Sequence, residues 1–266
     1  MVRKRLDVIL VEREAYASRE QARSAVLAGE VTVEGRVEHK AGAQVDESAR
    51  IEVAARRRFV SRGGDKLAGA LADFPVTVAG RRAIDVGAST GGFTDCLLQA
   101  GAAGVVALDV GYGQLAWSLR TDERVTVVER TNIRAVDPVG LGAPFDIVVA
   151  DVSFISLGKV LDHLVALLGE DGDLLMLVKP QFEAGKTRVG KRGVVKDPTV
   201  HADVLESVVQ ECGARGLIVR GLSTSPIKGP EGNIEFWLWA SRHGDAATVS
   251  VTEVVSAAHM IDGGAQ

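Results

Sequence analysis

Ala83-Ile84-Asp85-Val86-Gly87-Ala88-Ser89-Thr90-Gly91-Gly92-Phe93-Thr94 decides how this chain folds. A short apolar run ends in a cluster of glycines and small residues, and a stretch able to form a helix follows. The order reads as strand, tight turn, helix. Glycines at the turn let the backbone pass close to a ligand. The pattern is not G-x-G-x-x-G, and no phosphate-binding lysine follows it, so neither a dinucleotide fingerprint nor a phosphate loop is met. Gly185-Lys186-Thr187 looks like the end of a phosphate loop. The first glycine of that motif would fall on Pro180, which rejects the reading.

Outward from this turn, the chain alternates strands and helices. Val105–Asp109, Val125–Glu129, Phe145–Asp151, Leu174–Lys179, Leu217–Leu222 and Ile234–Ala240 join Ala83–Val86 as strand candidates. Most are Val/Ile/Leu runs without polar alternation, as expected of strands covered on both faces. Helices fit between them, for example 198–213 with Pro198 in its first turn. The alternation predicts an α/β domain with a parallel, doubly wound sheet. Its ligands belong at the carboxyl ends of the strands, near the switch point. A further helix is expected after Gly244.

The front of the chain differs. Leu6, Ile9, Leu10 and Val11 mark a short helix over 5–14. Ser18 opens a second helix, with Gln21 placed for a capping box, Ala22, Ala25, Val26 and Leu27 as its apolar stripe and Gly29 as its stop. Val31-Thr32-Val33, the turn Glu34-Gly35 and the returning stretch Val45–Val53 complete a small α+β module. The boundaries expected are 1–55 for this module, 56–63 for a basic joint that contains Arg56-Arg57-Arg58 and runs into the flexible Gly63-Gly64, and 64–266 for the larger domain. Residues 1–66 carry a net charge of +3 and the remainder −7. A basic front on an acidic body points to a polyanionic partner.

Other classes lose support. No apolar run is long enough for a membrane span, and the N-terminus lacks a signal peptide's apolar core. Cys96 and Cys212, the two cysteines, match no metal motif and read as buried small hydrophobes in a reducing compartment. The expectation is a cytoplasmic monomer without metal.

The order of the first 55 residues resembles the S4 RNA-binding domain. Arg5-Leu6-Asp7, Ser18-Arg19-Glu20-Gln21-Ala22-Arg23 and Gly29-Glu30-Val31-Thr32-Val33-Glu34-Gly35 carry the match. The resemblance implies that Arg5, Arg19, Arg23 and Lys40 face RNA phosphates, a contact that binds without choosing sequence. Arg13 reads as a solvated helix residue. Arg58 and Arg62 of the joint extend the basic track.

The glycine loop, with Asp109 ending the next strand 24 residues after Asp85, resembles the first two motifs of class I S-adenosylmethionine methyltransferases. That implies a cofactor held by Asp85, Gly87, Ala88, Ser89, Gly91, Gly92 and Phe93, with Asp109 on the ribose hydroxyls. Val110 would lie beside the adenine and Asn132 against it, though Asn132 is equally a turn former.

Asp151, Lys179 and Glu235 stand at expected strand ends on apolar or glycine-rich flanks, and Lys66 precedes the first strand of the sheet. Partly buried charges are costly unless paired, so the four are expected to converge. The order Lys–Asp–Lys–Glu resembles the FtsJ-type ribose 2′-O-methyltransferases. With the S4-like front, nearly the whole chain resembles the TlyA family, whose members were first labelled haemolysins. Ser61-Arg62-Gly63, Asp109–Trp117, Lys179-Pro180-Gln181-Phe182-Glu183 and Gly232-Asn233-Ile234-Glu235 carry the rest of the match. The resemblance implies methylation of cytidine 2′-hydroxyls in ribosomal RNA or ribosomal subunits. Lys179 then either accepts the hydroxyl proton, which needs a lowered pKa, or stays charged and stabilises the developing alkoxide. Phe154 could stack on an extruded base or sit in the core. Arg130 and Arg134 could bind phosphate. Tyr112 and Trp117 read as packing residues. The alternative functions are a non-catalytic RNA-binding assembly factor with a methyltransferase-like body, a small-molecule methyltransferase, and a membrane-lytic protein.

Overall fold

The computed structural model describes residues 3–27, 29–53, 58–185, 187–229, 231–245 and 250–263. Arg56 and Arg57 of the expected joint, and Lys186, lie outside them. The chain divides into two compact units, Met1–Arg57 and Arg58–Gln266.

The first unit runs β1 (Arg3–Arg5), α1 (Leu6–Glu12), α2 (Arg19–Leu27), β2 (Val31–Val33), β3 (Arg36–Val37), β4 (Gln44–Asp46) and β5 (Ile51–Val53). β2 pairs antiparallel with β3 and β5, and β1 with β4. Leu6, Ile9 and Leu10 of α1 meet Ala22 and Val26 of α2 over Val31 and Val45. Ser18 caps α2 by accepting from the Gln21 amide at 3.3 Å. Arg13 is not simply solvated. Its guanidinium donates to the carbonyls of Glu47 and Ala49, at 2.6 and 3.0 Å, and pins the β4–β5 turn to the end of α1.

The second unit runs α3 (Arg62–Asp73), β6 (Arg82–Val86), α4 (Gly92–Gln99), β7 (Gly104–Leu108), α5 (Trp117–Arg120), β8 (Val125–Val128), β9 (Phe145–Ala150), α6 (Leu161–Leu167), β10 (Leu168–Val178), α7 (Pro180–Glu183), α8 (Pro198–Gly213), β11 (Ile218–Thr224), β12 (Phe236–Ser241) and α9 (Val251–Gly263). Its seven strands lie in the order β11-β12-β10-β9-β6-β7-β8. Alternate residues of the apolar runs fill opposite faces. Val148, Met176 and Leu238 pack with Leu161, Leu164, Leu205 and Val255 of α6, α8 and α9. Val149, Leu177 and Trp237 pack with Leu67, Phe93 and Leu97 of α3 and α4. Side chains buried this completely contribute about 1.5–3 kcal/mol each, which is why both faces need helices.

Two expectations change. β12 runs antiparallel to both neighbours, so the sheet is not wholly parallel. The connection from β11, residues 225–235, holds no helix among its described residues, and a parallel return needs a crossover of a dozen or more residues. The reversal puts Glu235, just before β12, at the rim where the parallel strands end. Residues 58–63 also belong to the second unit rather than to a free joint. Phe59 is buried among α3 and α4, Ser61 caps α3, and the Val60 amide donates to Asp95 of α4. The double glycine is the first turn of α3, where it permits close packing. A Cβ on Gly64 would strike the Phe59 ring, and one on Gly92 would fall 2.7 Å from the Gly64 nitrogen.

Candidate active site and cofactor cavity

The order of the parallel strands switches between β6 and β9, with β7 and β8 laid down on one side and β9 and β10 on the other, and a cavity of about 500 Å³ opens there. Val86, Leu108, Val110, Ile133 and Ile155 supply apolar walls, and Gly87, Ser89, Asp109, Asn132 and Asp151 the polar ones. Gly87 has φ +90°, and a Cβ there would lie 2.5 Å from the Asp151 carbonyl. Only glycine lets the loop after β6 pass that close to the end of β9. Asp109 joins two loops. One oxygen accepts from the Ser89 amide at 2.8 Å and the other from the Gly111 amide at 2.6 Å. Asn132 caps the turn Ile133–Ala135, as a turn former does, and also lines the cavity.

A smaller cavity of about 220 Å³ adjoins the same loop. Ser61, Arg62, Lys66, Gly87, Ala88, Ser89, Gly92, Phe93 and Asp151 line it. The four charged residues form two pairs. Lys66 donates to Glu235 at 2.5 Å, and both are buried. Lys179 is ion-paired with Asp151 and donates to the Ser153 hydroxyl at 2.8 Å. Lys66 and Asp151 share the small cavity, and Asp151 also faces the large one. The pairs therefore meet at one rim. Ser153 was not picked out from the sequence, although its place two residues after Asp151 could have shown it.

Matches to family models divide the chain in the same way. Residues 4–51 match the S4 domain and 59–242 the FtsJ-like methyltransferase. The 16S/23S rRNA (cytidine-2′-O)-methyltransferase TlyA of Mycobacterium tuberculosis is 49% identical over 247 residues, 92% of each chain. The chain belongs to the TlyA family of FtsJ-like methyltransferases. A second TlyA, the 23S rRNA (cytidine-2′-O)-methyltransferase of Campylobacter jejuni, is 35% identical over 68% of this chain and 70% of its own. A solved structure from Streptococcus thermophilus that bears the name hemolysin superposes with a TM-score of 0.76 at 41% identity. It covers 99% of this chain and 98% of that one.

Within this TlyA-family chain, two expected cofactor residues sit behind the cavities. Asp85 is fully buried and lines neither. Its carboxylate accepts from the Thr94 amide and hydroxyl, at 2.9 and 2.7 Å, and so ties β6 to the first turn of α4. Gly91 turns the backbone into α4 with φ +95° against Leu115 and Leu119. Burial pushes the Asp85 carboxyl up to about 7, against 3.8 for an ordinary aspartate. The folded chain thus holds an extra proton between those values, and stability falls as pH rises from about 4 to about 7. Three pH units correspond to about 4 kcal/mol. Asp85→Asn should therefore flatten the stability profile between pH 4.5 and 7.5 in urea titrations. An unchanged slope would place the proton elsewhere.

The candidate RNA contacts are exposed on their own units. In the first, buried Asp7 accepts from both Arg5 and Arg19 at 3.0 Å, and the Arg5 guanidinium beside it holds the carboxyl down to about 2. The two arginines are thereby held side by side, near exposed Arg23 of α2; Lys40 is also exposed. In the second, Arg58, Arg62, Arg130 and Arg134 are exposed, Arg58 over the Phe59 ring and Arg130 over Tyr112. Tyr112 and Trp117 are not packing residues: Trp117 is 75% exposed. Tyr112 lies between Gly111 and Gly113, and Trp117 opens α5. Phe154 is not in the core either. It is 91% exposed with φ +64°, its ring 5.2 Å from that of Phe182. Cys96 and Cys212 are buried, and burial pushes each thiol up to about 12. No described helix is long and apolar enough to cross a membrane.

Proposed function

We propose that this protein transfers a methyl group from S-adenosylmethionine to the 2′-oxygen of cytidine in ribosomal RNA, in the cytoplasm. The observation that carries the reading is the meeting of two lysine–carboxylate pairs on the rim of a cavity suited to adenosine. The cavity's apolar walls fit an adenine, and Asp109 retains lone pairs for ribose hydroxyls. Gly87, Ala88, Ser89, Gly92 and Phe93 would border the amino-acid end. When bound, the cofactor supplies a methyl group already activated as a sulfonium.

The chain's own residues align and deprotonate the acceptor. An ammonium has three N–H donors. At Lys179 one faces Asp151 and one Ser153, which leaves one for the substrate oxygen. Lys179 thus orients the 2′-oxygen and stabilises the charge that grows on it as its proton passes to the Asp151 carboxylate. Lys66 and Glu235 fix the far side of the small cavity. Phe154 stacks on the extruded base. The S4 domain supplies phosphate contacts through Arg5, Arg19, Arg23 and Lys40, and Arg58, Arg62, Arg130 and Arg134 add others. One chain carries all four charged groups, so no second copy is required. A non-catalytic assembly factor has no need of the paired charges beside the cavity.

Ribosomal subunits incubated with the protein and a methyl-labelled cofactor should gain label on cytidine ribose. Label on bases alone, or none, would overturn the reading. Arg19→Ala should weaken RNA binding and lower the slope of log affinity against log salt by about one. An unchanged slope would remove Arg19 from the docking face.

A further inference from the structure

Beside the cofactor cavity lies a third cavity of about 470 Å³, lined by Phe154, Ile155, Gln181, Phe182 and Val189 among others. Phe154 and Ile155 also line the cofactor cavity, so the two share a wall. Lys179 stands two residues before Gln181, its Nζ 5.9 Å from the centre of the Phe182 ring. The walls are fixed before any ligand arrives. Glu183 accepts from the Ser156 hydroxyl at 2.7 Å and the Leu157 amide at 2.8 Å, and so bolts the 154–157 segment to α7. The opposite side is open: a Cβ on Gly185 or Gly193 would meet nothing within 4 Å beyond its own chain neighbours.

One polar atom of a residue lining this cavity lacks a partner. Gln181 Oε1 is buried without a hydrogen bond. Buried acceptors in native proteins are almost always paired, and an orphan at a cavity wall marks where a ligand donor belongs. We propose that the cavity takes the base of the methylated nucleotide and that Gln181 Oε1 accepts from its exocyclic amine, which makes Gln181 a residue that selects cytosine over uracil. The inference rests on the ribose-methylation reading above. With the base stacked on the exposed ring of Phe154, the attached ribose faces Lys179 and the shared wall. Uracil would set its O4 carbonyl against Oε1 and leave both acceptors unpaired. A site that hydrogen-bonds one group discriminates strongly against an analogue lacking it.

The test uses the full-length protein and RNA substrates that carry, at the mapped position, cytidine, uridine or the pyrimidin-2-one riboside, which lacks the amine. Wild type should prefer cytidine over the amine-less base by about 10- to 100-fold in kcat/KM. Gln181→Met keeps the shape and removes the acceptor, and should bring that ratio near one with cofactor affinity unchanged. Gln181→Glu keeps an acceptor and should retain the preference. An equal preference in wild type and Gln181→Met would overturn the role of Gln181. Absence of ribose methylation by wild type on all three RNAs would instead overturn the underlying reading.

Discussion

Lys179→Ala should lose at least about 10³-fold in the single-turnover rate of methyl transfer while its affinity for S-adenosylmethionine stays within about threefold of wild type. The substitution removes the donor aimed at the reacting oxygen and leaves Asp151 without its cation. It spares the cofactor because Lys179 does not line the cofactor cavity. Asp151 is partly open to solvent and can be hydrated, so the fold should survive. Lys179→Arg keeps the charge but replaces a compact ammonium with a planar fork, and should recover little. Rapid-quench measurement of methyl transfer beside calorimetric titration of the cofactor separates the two effects. A Lys179→Ala enzyme with wild-type turnover would remove this residue from the chemistry.

Asp109→Ala should show the opposite signature. Asp109 is the one side chain that accepts from both the Ser89 and Gly111 amides. Its removal frees the loops after β6 and β7 together and deletes the acceptor proposed for the ribose. Hydrogen bonds to a charged group contribute about 1.5–3 kcal/mol, so losing the ribose contact and the loop order together should weaken cofactor binding at least about 100-fold. The rate at saturating cofactor should fall far less, since both lysine–carboxylate pairs remain. Asp109→Glu, one methylene too long to reach both amides, should fall between. Cofactor affinity unaffected by Asp109→Ala would place the ribose somewhere else.

The pattern of the chain revealed the sheet because Phe145–Asp151 and Leu174–Lys179 are nearly continuous apolar runs, and such runs need cover on both faces. The reversal of β12 was hidden, since Ile234–Ala240 reads the same in either direction. Only the helix-free stretch 225–235 carried the information. Four charges on apolar flanks were legible as a cluster, because burial makes unpaired charge costly. Which lysine meets which acid was not, as Lys66 and Glu235 lie 169 residues apart.

Single aromatic and charged residues misled most. Phe59 beside three arginines looked like part of a joint and is core, whereas Tyr112 and Trp117 looked like core and are exposed. Asp85 occupies a motif position associated with the cofactor, yet its carboxylate turns under the loop to Thr94. A linear pattern records neighbours along the chain, and these three cases depend on partners that the fold alone brings near. Arg13 belongs with them, since its partners Glu47 and Ala49 lie in a distant turn.

A structure of the protein with bound S-adenosylmethionine bears most directly on the whole account. Adenosine should occupy the cavity between Asp109 and Asn132, with the methyl group directed past Gly87 toward the Lys179–Asp151 pair. Density for the cofactor at any other rim of the sheet, or a methyl group turned away from Lys179, would contradict it.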